Sequence, residues 1–314
     1  MKKGKTKYSS SYGEINLREK LAKIHGVSAD NVVITAGSKW GVFATMYLLL
    51  KGGGNVIVPT PYWTAYDLTA KSLGAQTKLL RTEFDSRWRI DLEKLENLID
   101  KETRMIILNN PNNPTSKVMD PDVLDGIVGI ANDKHISILS DEVYGTISFV
   151  KTRSILEYEG NHILSNGFSK TFTMTGWRIG YIIAEKELID RITRLNQITI
   201  NNVPVFIQEA GLKALELQKL LSTKIKEEYQ ERAKMASEIL KKACEFTEPE
   251  APFYVFPRKR GLDSEEFTLN LLDQGVAVAP GTAFGDYREH FRVSLTAPQE
   301  QIKAGLNKIC EALG

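Results

Sequence analysis

Cysteine is the scarcest chemistry in this chain: only Cys244 and Cys310 occur among 314 residues. They lie far apart and outside any metal-ligand spacing, which excludes a disulfide framework and a Cys-rich zinc site. Both read as reduced core or helix residues of a cytosolic protein. Charge of one sign is missing too. Forty-one Lys and Arg stand against 39 Asp and Glu, so the formal net charge is +2 and nothing marks a nucleic-acid or acidic-membrane surface. The apolar run at Leu48-Leu49-Leu50 falls far short of the roughly 20 residues that span a bilayer. The basic start, Met1 to Lys7, has no apolar segment behind it and is no signal peptide. Internal repeats and low-complexity stretches are absent. A hydrophobic share of 42% and a charged share of 25% suit a soluble intracellular globular protein, long enough for a large domain and a smaller one.

Short β-rich runs alternate with helical ones through the first two-thirds, the pattern of an α/β fold with a mainly parallel sheet covered by helices. Strands are expected at 31–35, 55–58, 104–108, 136–139 and 162–165. Helices are expected at 39–50, 91–99 and 121–132, the first stopped by Gly52-Gly53-Gly54. From about Phe206 to Cys244 the chain turns charge-rich and helical, with Ile225, Tyr229, Ala236 and Ile239 as a candidate buried stripe. Strands at 253–256, 276–279 and 291–295 and a helix from Gln299 complete a mixed α+β tail. The expected division is 1–205 as the large domain and 206–314 as a connecting helix with a small C-terminal domain.

Several segments carry chemistry. Thr35-Ala36-Gly37-Ser38-Lys39 joins a strand to a helix, where free backbone N–H groups suit a phosphate. Pro61-Tyr62-Trp63 places aromatics just past a strand end, able to stack on a planar ring. Asn109-Asn110-Pro111-Asn112-Asn113-Pro114-Thr115 is strongly turn-forming. Ser140-Asp141-Glu142-Val143-Tyr144 puts a carboxylate at a buried strand end, which is costly without a cationic partner. Arg292 lies inside a strand of the tail, and its planar fork matches a carboxylate. Each of these alone has a plain structural explanation: a turn, a core aromatic, a helix cap or an ion pair. The run Ser165-Asn166-Gly167-Phe168-Ser169-Lys170-Thr171-Phe172-Thr173-Met174-Thr175-Gly176-Trp177-Arg178-Ile179-Gly180-Tyr181 is far more specific. Its lysine amine can form a Schiff base with an aldehyde cofactor, and the guanidinium of Arg178 can grip that cofactor's phosphate.

That run closely resembles the lysine segment of fold-type-I enzymes dependent on pyridoxal 5'-phosphate (PLP), specifically the aspartate aminotransferase superfamily, and the other motifs follow in the family's order. The resemblance runs from about Lys5 to the C-terminus. It implies the PLP-dependent transferase fold type I and a homodimer with its active site at the interface. It also implies transfer of an amino group between an amino acid and a 2-oxo acid. The matching residues would be Lys170 for the aldehyde, Asp141 for the pyridine nitrogen, and Asn113 and Tyr144 for the 3'-oxygen. Trp63 would lie over the ring, Arg178, Ser169, Gly37, Ser38 and Lys39 at the phosphate, and Arg292 at the substrate α-carboxylate. Lys39 is also a candidate for a second substrate carboxylate. In the run Gly4-Lys5-Thr6-Lys7-Tyr8, Tyr8 would reach the phosphate of the neighbouring subunit. Departures are Ser116 where many relatives have Gly, Gly167 where many have a phosphate-binding serine, and Pro252 in place of a glycine. The usual N-terminal segment that closes over the substrate is expected to be missing, leaving a wetter pocket. Two other outcomes share these motifs: a C–S β-lyase or decarboxylase of the same fold, and a PLP-binding module with little activity.

Overall fold

The computed structural model describes Gly4 and residues 6–314; Met1, Lys2, Lys3 and Lys5 of the basic start lie outside the described residues. The first elements are α1 (Ile15–His25), β1 (Val32–Thr35), α2 (Ser38–Leu50), β2 (Asn55–Thr60), α3 (Ala65–Ser72) and β3 (Gln76–Arg81). Next come α4 (Leu92–Leu98), β4 (Thr103–Asn109), α5 (Pro121–Asp133), β5 (Ser137–Asp141) and β6 (His162–Gly167). A four-residue helix, α6 (Phe168–Thr171), leads into β7 (Gly180–Ile183), α7 (Lys186–Thr199), α8 (Val205–Glu216) and α9 (Gln218–Leu240). The tail holds β8 (Tyr254–Val255), α10 (Ser264–Asp273), β9 (Ala279–Pro280), β10 (Phe291–Ser294) and α11 (Gln299–Leu313).

Seven strands form one sheet in the order β1-β7-β6-β5-β4-β2-β3. Neighbours from β6 to β3 pair in parallel, and β7 is antiparallel to both β6 and β1. Helices cover both faces, so strands read as continuous apolar runs and alternate residues serve opposite cores. Ile57, Ile106, Ile138 and Leu164 enter one core, while Val56, Met105, Leu139 and Ile163 enter the other. A third core lies under the small antiparallel sheet β8-β10-β9 and joins α9 to α11.

Most expected elements stand within a residue or two, including the glycine stop, where Gly52, Gly53 and Gly54 all have φ near 100°. Corrections concern the tail and the short elements. The long helical stretch is two helices, parted at Leu217 (φ −96°, ψ 4°). The strand expected at 253–256 shrinks to Tyr254–Val255 because Phe253 has φ 86°, which no ladder residue adopts. The strand expected at 276–279 begins only at Ala279. The buried stripe of α9 is Ala233, Ala236, Ser237 and Leu240; Ile225, Tyr229 and Ile239 are half-buried. Among the described residues, no helix is long and apolar enough to cross a membrane, and no cluster of metal-binding side chains forms.

Candidate active site

The parallel strands deliver their carboxyl ends to one rim, the usual ligand edge of an open α/β sheet. Register puts Asn109 beside Asp141, Asp141 beside Ser165, and Gly167 beside Gly180. The motifs these strands carry, far apart in sequence, therefore meet at one rim.

Asp141 is 3% exposed. Tyr66 of α3 donates its hydroxyl to Oδ2 at 2.8 Å, while the buried Oδ1 has no partner of normal hydrogen-bond geometry. Burial pushes the carboxyl up to about 6, and the Tyr66 bond, the Val143 N–H and the Lys170 charge oppose that only in part. Glu142, next along, is pushed up to about 7, chiefly by burial and against the Ile155 N–H and the hydroxyls of Ser154 and Ser140. Tyr144 is buried, and burial together with the neighbouring Tyr254 hydroxyl raises its phenol well above the ordinary range.

Lys170 sits on α6, immediately after β6. Its Nζ lies 5.6 Å from the Tyr144 ring centroid and 5.4 Å from that of Phe253. Across the cleft, Arg292 of β10 donates from Nη1 to Asn113 Oδ1 at 3.0 Å. Its guanidinium is sandwiched between Tyr254 and Phe284, at 4.5 and 4.8 Å. The Arg292 Nε is buried without a partner, and among the described residues no carboxylate pairs with this arginine. Asn113 is itself held by Asn109, whose Oδ1 accepts the Asn113 N–H at 2.7 Å.

At the opposite end α2 begins at Ser38 with no side-chain cap, leaving its first-turn N–H groups free for an anion. Gly37 has φ 82°, and a Cβ placed there would stand 2.5 Å from Arg178 Nη2. Gly180 is equally constrained, since its Cβ would fall 2.4 Å from the Ser38 N. Arg178 spends one donor on the Thr175 carbonyl at 2.8 Å and is otherwise exposed. Ser169 is half-buried beside Lys170. Trp63 packs edge-on against Tyr66 at 5.4 Å, and the exposed Lys39 places Nζ 5.0 Å from the Trp63 ring. Tyr8 stands apart, 86% exposed.

The departures noted in the sequence have local reasons. Ser116 has φ 55°, a left-handed conformation that glycine adopts at less cost. Gly167 lies so close to β7 that a Cβ would touch Gly180 Cα and the Ile179 carbonyl at 3.3 Å. Sequence reasoning gave no role of their own to Tyr66, Gly180 or Phe253. Tyr66 alone carried a signal: it lies one helical turn after Trp63.

The residues fit a flat, phosphorylated cofactor. A protonated ring nitrogen would satisfy the orphaned Asp141 Oδ1, and a phosphate would fill the glycine cradle between α2 and Arg178. An amine poised between those two ends, under a sheet of this topology, defines a cofactor-dependent group-transfer enzyme. The profile of the family described as aminotransferase class I and II matches residues 1–309, and the chain belongs to that family and is an aminotransferase. It is 38% identical over 313 residues to an aspartate aminotransferase of Thermococcus kodakarensis, covering 100% of this chain and 82% of that one. It superposes on the crystal structure of aspartate aminotransferase from Thermotoga maritima with TM-score 0.94 and 33% identity, covering 99% of this chain and 84% of the other. An aromatic aminotransferase from Pyrococcus horikoshii matches with TM-score 0.95 and 29% identity, over 99% and 89% of the two chains. The fold is therefore the aspartate-aminotransferase fold, type I.

Proposed function

We propose that the protein uses PLP to move an amino group between an acidic amino acid and a 2-oxo acid, with aromatic amino acids as the second donor class. The observation that carries this reading is the buried Asp141 Oδ1, which lacks a partner of normal hydrogen-bond geometry. When bound, PLP supplies an electron sink for the charge left at the substrate Cα. Asp141, ionised, holds the ring nitrogen protonated. Tyr144 and the amide of Asn113 donate to the 3'-oxygen, and Trp63 covers the ring face. Gly37, Ser38, Lys39, Ser169 and Arg178 hold the phosphate, with Tyr8 of a second copy completing that site in a homodimer. Arg292 takes the α-carboxylate, since among the described residues no carboxylate pairs with it. With PLP bound, the Lys170 Nζ would act as base toward the proton on the substrate Cα and as acid in returning it. Residues 1–205 would supply the cofactor side and 206–314 the carboxylate side.

Acidic donors are favoured by Lys39, whose Nζ lies 5.0 Å from the Trp63 ring, and by the relatives named aspartate aminotransferase. Those names support transamination over lyase or decarboxylase chemistry, and the near-neutral charge and unpaired cysteines suit a cytoplasmic enzyme. The test has two arms. Borohydride treatment of the PLP-loaded protein should fix the label on the Lys170 peptide, and 2-oxoglutarate should accept nitrogen from aspartate faster than from phenylalanine or alanine. A label on another lysine, or no turnover with any donor, would overturn the reading.

A further inference from the structure

Phe253 holds a backbone conformation that its own side chain disfavours. Its φ of 86° is an outlier for a bulky residue and persists only where the surroundings enforce it. The enforcing contacts are explicit. Leu295, just past β10, donates its N–H to the Phe253 carbonyl at 2.8 Å. The Tyr254 carbonyl accepts the Ser116 hydroxyl at 2.9 Å, and the Glu250 N–H donates to the Ser116 carbonyl at 2.9 Å. Ser148 and Phe149 both donate to the Glu250 carbonyl, at 3.0 and 2.8 Å. The Glu250 carboxylate pairs with Lys117 and accepts the Val118 N–H. Pro252 fixes φ immediately before. Three loops are thus clasped around the strained residue, one of them the loop that carries Asn113.

The twist aims the ring inward. It is 4% exposed, sits 4.4 Å from the Tyr229 ring and packs against the Tyr144 ring at 5.8 Å, so that the two rings stand side by side with the Lys170 Nζ 5.4 and 5.6 Å from them. We propose that Phe253 is a positioning residue for Lys170: its enforced backbone holds the ring against Tyr144, and the two rings form an aromatic wall that covers one side of Nζ and limits approach to it from that side. The catalytic meaning of the wall rests on the function proposed above, but the wall exists whether or not a cofactor binds. A ring that merely filled space against Tyr229 would leave the reactivity of the amine untouched.

The experiment therefore reads the amine itself. In the full-length chain freed of PLP, lysines are labelled with trinitrobenzenesulfonate and followed by peptide mass, with the exposed Lys39 as internal reference. Phe253→Ala should speed labelling of Lys170 several-fold without changing Lys39, and Phe253→Leu, which keeps apolar bulk and spares the fold, should label more slowly than Phe253→Ala. Melting separates the backbone from the ring: Phe253→Gly should melt a few degrees above Phe253→Ala, because glycine accepts the positive φ and alanine does not. Equal labelling of Lys170 in wild type and Phe253→Ala would overturn the shielding wall, and Phe253→Gly melting no higher than Phe253→Ala would overturn the enforced backbone. Neither outcome depends on where borohydride places PLP, so this inference and the functional reading fail separately.

Discussion

At the scale of the residue, Asp141 is where folding and function pull in opposite directions. Folding moves its carboxyl from 3.8 to about 6, because burial removes water and the Tyr66 hydroxyl restores only part of the lost stabilisation. The fold thus prefers the protonated form. That preference stabilises the protein fully below about 3.8 and is lost as pH rises through about 6. The difference corresponds to on the order of 3 kcal/mol. Asp141→Asn should abolish this slope, so thermal melts of PLP-free protein should show the variant gaining on wild type between pH 4 and 7. Parallel melting curves across that window would contradict it. A bound cationic ring nitrogen would reverse the preference, and added PLP should protect wild type more at pH 7 than it protects the variant. Tyr66→Phe removes the hydroxyl that favours the ionised carboxylate, so the acid limb of kcat/KM should move to higher pH, with kcat at pH 8 little changed. An unmoved limb would show that Asp141 does not set it.

At the scale of the element, the β1–α2 turn and β7 act as one device. Gly37 and Gly180 face each other across Ser38, and neither has room for a methyl group. Gly37→Ala should push the Arg178 guanidinium aside and strain a backbone at φ 82°. PLP affinity should fall at least about tenfold, the equivalent of 1.4 kcal/mol, while melting of the PLP-free protein drops by only a few degrees. Fluorescence titration with PLP checks the first expectation, and unchanged affinity would separate the turn from the phosphate. This device also shows what the sequence could reveal. The strand–glycine–helix junction was legible, because strand periodicity, Gly37 and an apolar helix follow one another directly. The role of Gly180 was not, since its constraint comes from Ser38, far away in sequence. Likewise, 253–256 looked like a strand because Phe-Tyr-Val-Phe has the right composition, and only tertiary hydrogen bonds force Phe253 out of the ladder. Continuous apolar runs marked most of the parallel strands, buried on both faces. The half-exposed edge strand β3, with Gln76, Lys78 and Arg81, gave no such run.

At the scale of the whole molecule, one proposed site residue, Tyr8, stands exposed and apart from the others. The segment before α1 is firmly anchored: Ile34 donates to the Tyr12 carbonyl at 2.8 Å, Asn196 to the Ser11 carbonyl at 3.1 Å, and Gln208 accepts the Glu14 N–H at 2.7 Å. Tyr8, just before the anchor, is nevertheless 86% exposed. Near the phosphate end, Trp40, Phe43 and Leu68 line an open hollow beside Lys39 and Arg178, and Leu68 is 63% exposed. An apolar patch next to an anion site, and an exposed tyrosine just before an anchored segment, both fit a two-fold dimer in which each chain completes the other's site. The mass in solution should be that of a dimer, and Tyr8→Phe should weaken PLP binding by the worth of a hydrogen bond to a charged acceptor, about 1.5 kcal/mol. Mixed dimers distinguish a role across the interface from one within the chain. Pairing a Tyr8→Phe chain with a Lys170→Ala chain leaves one site with both its lysine and the tyrosine of the other subunit. If Tyr8 acts across the interface, borohydride-fixable PLP should bind that site with wild-type affinity. If the affinity instead equals that of the Tyr8→Phe homodimer, the tyrosine serves its own chain and the interface plays no part in holding the phosphate.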